Sequence, residues 1–110
     1  MKLPNRKQAY VPQAKLANYL LSEIHVVGRW KAKFLINLGF DESNISLLQK
    51  ALLIIAQKEE VKDTISSSHG TKFIIDGSLQ SPIGKTVDIR TIWIIDKDQK
   101  KPRFVTAYPI

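Results

Sequence analysis

The chain has 110 residues, of which 44% are hydrophobic and 25% charged, and it contains no cysteine. Such a composition fits one folded domain over residues 1–110 and excludes a disulfide framework, thiolate metal sites and a cysteine nucleophile. Lys and Arg number 17 against 10 acidic residues, a net charge of +7, which points to a nucleic acid or an acidic partner, with solubility as the plainer reading.

Helical patterns fill the first half. Val11-Pro12 precedes Gln13–Leu21, where Leu16, Tyr19 and Leu20 lie on one face, and Pro12 suits the first helical position because its missing N–H would have no intrahelical partner. Ser22–His25 reads as a break. A second helix is predicted from about Val26 to Leu38, with Val27, Trp30, Phe34 and Leu38 forming a stripe. Gly39 supplies a stop, and Asp41 or Ser43 a cap for the third helix, in which Ile45, Leu48, Leu52 and Ile55 repeat.

After Lys58-Glu59-Glu60 the period changes to two. Strands are predicted over 61–66 (weakly), 71–80, 86–95 and 102–108, with a turn at Ser81-Pro82-Ile83-Gly84 and a polar loop over 96–101. Three helices followed by three or four antiparallel strands describe an α+β fold, the helices packed on one face of the sheet. On the third strand, Asp88, Arg90, Ile92 and Ile94 share one face, and Val87, Ile89, Thr91, Trp93 and Ile95 share the other. On the last strand, strict alternation puts Arg103, Val105 and Ala107 on one side and Phe104, Thr106 and Tyr108 on the other. Register is left open, and with it the choice of face towards the helices.

Several chemistries find no support. Ser81–Thr86 ends in Gly-Lys-Thr, but position 79, where a phosphate loop needs its first glycine, holds Leu79, and a strand follows instead of a helix. The two histidines lie far apart and no acidic cluster falls on one element, so neither a metal nor another cofactor is expected. No nucleophile-elbow pattern is present. No apolar run reaches the roughly 18 residues of a membrane span, so the expected location is the cytoplasm with no membrane partner.

Metal-free acid–base chemistry on an RNA phosphodiester remains. It needs a group to take the 2′-hydroxyl proton, one to protonate the leaving 5′-oxygen, and cations around the crowded phosphate. His25 is the candidate acid or base, Lys31 and Arg103 the phosphate clamps, and Thr106 and Tyr108 the hydroxyl donors; Lys33, Lys72 and Arg90 are candidate substrate contacts. Each also has a plainer role. His25 can cap a helix, Lys31 and Lys33 can solvate one, and Trp93 and Tyr108 read first as packing residues. His69, in Ser66-Ser67-Ser68-His69-Gly70, reads as a loop residue.

Two segments look familiar together: Ser22-Glu23-Ile24-His25-Val26-Val27-Gly28-Arg29-Trp30-Lys31-Ala32-Lys33-Phe34 with Leu38-Gly39-Phe40, and Thr91-Ile92-Trp93-Ile94-Ile95 with Pro102-Arg103-Phe104-Val105-Thr106-Ala107-Tyr108-Pro109. With the opening Met1-Lys2-Leu3-Pro4-Asn5, the chain resembles a family of small bacterial domains of unassigned function, found free-standing or at the C-termini of polymorphic toxins. Its element order is similar to that of the barnase–EndoU–colicin–RelE ribonucleases. The resemblance implies a metal-independent ribonuclease toxin, with RNA as substrate and a small acidic antitoxin or immunity protein as partner. It favours Arg103, Thr106 and Tyr108, since the last strands of that group commonly carry site residues. His25 is expected to face them across a cleft. The competing expectation is a non-catalytic basic module that binds nucleic acid or an acidic protein.

Overall fold

The computed structural model describes residues 1–17 and 29–110. Four strands form one antiparallel sheet in the order β1 (Asp63–Ser67), β2 (Gly70–Gln80), β3 (Thr86–Asp96) and β4 (Arg103–Pro109). The described helices are α1 (Gln13–Lys15), α2 (Arg29–Asn37) and α3 (Ile45–Lys58). All four strands expected from alternation are present, each within two residues of its expected ends, with Val61 and Lys62 preceding β1.

The turn at 81–85 sets the central register. Equal steps back from Gln80 and forward from Thr86 pair Leu79 with Val87, Asp76 with Arg90 and Phe73 with Trp93. Phe73, Ile75, Leu79, Ile89, Thr91 and Trp93 are buried, so this face meets the core. Trp93 and Phe104 meet edge to face, ring centroids 5.3 Å apart. The polar atoms are satisfied: Trp93 Nε1 donates to Thr91 Oγ1 at 2.8 Å, and Thr91 Oγ1 donates to Ile75 O at 2.7 Å.

β4 departs from strict alternation. Thr106 pairs with Ile92 but Phe104 pairs with Trp93, leaving Val105 as an extra residue, a β-bulge. The expected grouping of Phe104 with Thr106 and Tyr108 is therefore corrected. Phe104 joins Trp93 in the core, while Arg103, Thr106 and Tyr108 share the other face, opposite Ile94, Ile92 and Arg90.

Of the expected helical layer, among the described residues only α3 is long, and it is the helix that packs on the sheet. α3 buries Ile45, Leu48, Leu52, Ile55 and Ala56 and packs on β2 and β3. Asp41 starts it through a 3₁₀ turn, its carboxylate accepting from Ser43 N at 2.8 Å while Asn44 Oδ1 accepts from Asp41 N at 2.8 Å. Gly77 lets α3 approach β2, since a Cβ there would stand 2.8 Å from Ile55 Cγ2. α2 stops as expected, with Gly39 at φ 95° and its N–H donating to Ile36 O at 2.9 Å. The expected first helix is represented by α1, with Pro12 one position before it. Its stretch from residue 18 to 21, the break at Ser22–His25 and the start of the second helix at Val26 lie outside the described residues.

An N-terminal arm ties the sheet's two ends together. Met1 O accepts from Val61 N at 2.7 Å and Lys2 bridges Glu60, while Tyr10 bridges Arg103 in parallel. Leu3 and Ala9, between these ties, and Val11, just beyond them, are buried in the core.

Candidate functional site

The sheet face turned away from α3 collects most of the residues singled out by their chemistry. One row across it is Asp76, Arg90 and Tyr108; the next holds Ile74, Ile92 and Thr106; a third holds Lys72, Ile94 and Arg103. The Val105 bulge is the local reason Arg103 lies on this side with Thr106 and Tyr108, three residues apart along an otherwise alternating strand.

Lys31 comes to this face from α2. It is 8% exposed, and its Nζ donates to Thr106 Oγ1 at 2.9 Å and sits 5.5 Å from the centre of the Tyr108 ring. The ring's negative face favours the ammonium there, more so where water is scarce. Thr106, accepting from Lys31, keeps its own hydroxyl hydrogen for donation. Three residues of the expected catalytic set, Lys31, Thr106 and Tyr108, thus form one contact cluster.

Arg90 borders the cluster but is committed. Its Nε and Nη2 donate to the two Asp76 carboxylate oxygens at 2.8 and 2.9 Å, a bidentate fork, and Lys62 Nζ lies 3.6 Å from Asp76 Oδ2. The Arg90 hydrogen bond, and the charges of Arg90 and Lys62, hold the Asp76 carboxyl below its ordinary pKa. Asp76, reinforced by Tyr108, in turn keeps Arg90 more firmly protonated. Asp76 was not singled out by its chemistry. The signal that finds it is the Ser81–Gly84 turn, from which counting pairs Asp76 with Arg90.

The other expected residues are dispersed. Arg103 shares the face but is paired with Asp96, its Nη2 3.2 Å from Asp96 Oδ2. Lys72 is exposed on β2, opposite Ile94. Lys33 is exposed on α2, two residues from Lys31 and so on a different side of that helix. His69 lies in the β1–β2 turn, where its carbonyl accepts from Lys97 N at 2.9 Å. His25, and with it the expected cleft between His25 and β4, lies outside the described residues. Trp93 is a core residue, 0% exposed, as its plainer reading expects.

The arrangement groups one largely buried ammonium, the hydroxyl that accepts from it, a phenol beside it and, on neighbouring rows, two guanidinium groups held in carboxylate pairs. Among the described residues no helix is long and apolar enough to cross a membrane.

These features define a small α+β domain whose polar cluster lies on the sheet face opposite its long helix. The chain belongs to the DUF6883 family, described as a domain of unknown function, which matches residues 2–110. No curated protein matches it in sequence. Its fold is similar to that of a chain in a contact-dependent growth inhibition toxin–immunity protein complex from Klebsiella pneumoniae 342. That similarity has a TM-score of 0.72 at 18% identity, covering 94% of this chain and 95% of the other.

Proposed function

We propose that this protein is a toxin-type, metal-independent ribonuclease that cleaves RNA by acid–base transesterification. The observation that carries the reading is the convergence of Lys31, Thr106 and Tyr108 from α2 and β4. The fold shared with a chain of a toxin–immunity complex points the same way, and makes a small acidic immunity protein the partner to seek. The net charge of +7 suits both an RNA substrate and such a partner.

In this mechanism the substrate's 2′-oxygen attacks phosphorus as its proton leaves. The 5′-oxygen departs with a proton, and a 2′,3′-cyclic phosphate remains. His25 is assigned one of the two proton transfers. Lys31 supplies positive charge to the phosphate oxygens, and Thr106 and Tyr108 donate hydrogen bonds to them. Arg103, released from Asp96, adds a second cation, while Lys33, Lys72 and Arg90 bind the flanking chain. The other proton is exchanged with solvent water, so the proton taken from the 2′-hydroxyl and the one given to the 5′-oxygen are both accounted for.

A second reading, a non-catalytic basic module, draws on a specific observation: Arg90 and Arg103 are both in carboxylate pairs, as in a surface built to be stable. One experiment separates the two. Purified protein is incubated with RNA in the presence of a chelator, and the 3′ ends are analysed. Ribonuclease action yields 2′,3′-cyclic phosphate ends, and His25→Ala lowers the rate by about 10²–10⁴-fold. Intact RNA after incubation, with binding retained, selects the module.

A further inference from the structure

A second polar surface adjoins the cluster at the start of β4. The N-terminal arm lies along the β3–β4 loop: Asn5 Nδ2 donates to Lys100 O at 3.0 Å. Tyr10 is tied on both sides, its N–H donating to Pro102 O at 3.0 Å and its carbonyl accepting from Phe104 N at 3.0 Å. Between arm and loop is an open cavity of about 650 Å³ lined by Gln8, Tyr10, Asp96, Lys97, Gln99 and Lys101.

Tyr10 is 43% exposed, although its neighbours Ala9 and Val11 are buried in the core. Its ring is thus displayed from a backbone with little freedom to move. Residues 5–10 and 96–103 together carry Arg6, Lys7, Lys97, Lys100, Lys101 and Arg103 against Asp96 and Asp98. Asp96, the one carboxylate in the cavity wall, is already engaged by Arg103. The two glutamine amides add donors and acceptors that match the edges of a base.

We propose that this cavity is a subsite for single-stranded RNA, in which one base stacks on Tyr10 and the adjoining phosphates sit on Lys97 and Lys101. An accessible ring beside unopposed cations is the combination that single strands recognise, whereas a duplex hides its base faces. The choice of RNA rests on the ribonuclease reading and on continuity with the cluster. Arg103 pairs with Asp96 in the cavity wall and lies one same-face row from Thr106, about 7 Å along the strand. A strand leaving Lys31 and Thr106 in that direction passes Arg103 and arrives at Tyr10.

The test uses a fluorescein-labelled, fully 2′-O-methylated RNA hexamer, which has no free 2′-hydroxyl to attack and so stays intact. Binding is followed by anisotropy at several salt concentrations. Tyr10→Ala is expected to weaken binding at least about five-fold, the lower end for one stacked base, and Tyr10→Trp to restore it. Replacing both Lys97 and Lys101 by Ala should reduce the log–log salt slope by about 1.4. The same hexamer in a duplex should bind with no dependence on Tyr10. Equal affinity of wild type, Tyr10→Ala and Tyr10→Trp overturns the subsite, as does absence of binding. Unmethylated RNA run in parallel separates the two proposals. Tyr10-dependent binding without cleavage keeps the subsite and removes the ribonuclease; cleavage with no Tyr10 dependence does the reverse.

Discussion

Lys31 tests whether the polar cluster works on a substrate or only holds the fold. An ammonium that is 8% exposed is costly to desolvate, but Lys31 is partnered there, and removing one side of a buried contact leaves the other unsatisfied. Lys31→Met is therefore expected to lower the melting temperature modestly and RNA cleavage by about 10²-fold, the scale set by losing one donor to a developing anion. A lysine kept for stability alone would lower the melting temperature and leave cleavage by the folded protein unchanged. Thr106→Val probes the other end of the 2.9 Å bond. It removes both the acceptor for Lys31 and a donor to the phosphate, so a destabilisation of about 1–3 kcal/mol, read from the denaturant midpoint, should accompany the loss of cleavage.

At the scale of elements, the contact between α3 and the sheet is limited by Gly77. A Cβ there meets Ile55 Cγ2 at 2.8 Å and Ile55 Cγ1 at 3.0 Å, with Glu59 Cγ at 3.2 Å. Gly77→Ala should lower unfolding stability by about 1–3 kcal/mol through overpacking, with the slope of the denaturation curve unchanged. Combining it with Ile55→Val, which trims the clashing side chain, should recover part of the loss. The strands were legible because apolar Phe73, Ile75 and Leu79 alternate with polar residues in Thr71–Gln80, because Thr86–Ile95 is rich in β-branched residues, and because Ser81–Gly84 marks the turn between them. The capped start of α3 and the Gly39 stop were legible for the same reason: each uses side chains or backbone freedom that have few other uses. The Val105 bulge was not, since Val105 looks like any strand residue and no glycine marks it; only the pairing of both flanks with β3 reveals it. The Asp76–Arg90 pair stayed hidden while register was open. Of the site, the residue types on β4 could be chosen from chemistry, but not the fact that they share a face.

Across the whole molecule, acid should act through carboxylates that the fold holds in their charged form. Asp76 is kept below its ordinary value near 3.8 chiefly by Arg90, and Asp41 by the Ser43 side chain and backbone. Because their folded values are the lower ones, their contributions are fully present above about pH 4 to 5 and disappear as pH falls through the folded values. Thermal stability should accordingly be flat from neutral pH to about pH 5 and decline below it. Asp76→Asn should be less stable than wild type at pH 7, with the difference narrowing by pH 3; a constant difference across that range, followed by calorimetry, would refute the assignment.

The arm that joins the two ends of the sheet also imposes an order in time. Tyr10 is made 93 positions before Arg103, and its hydrogen-bonding partners Pro102 and Phe104 exist only once that stretch is made. Until then the buried arm residues Leu3, Ala9 and Val11 wait for the completed sheet. β4 also brings Phe104, Thr106 and Tyr108, so core closure and assembly of the polar cluster await the same short stretch of chain. A growing chain that stops before residue 102 should remain open to proteases and inert towards RNA, whatever its helices have formed. The proposed activity would then appear in a single late step, once the last strand has been made.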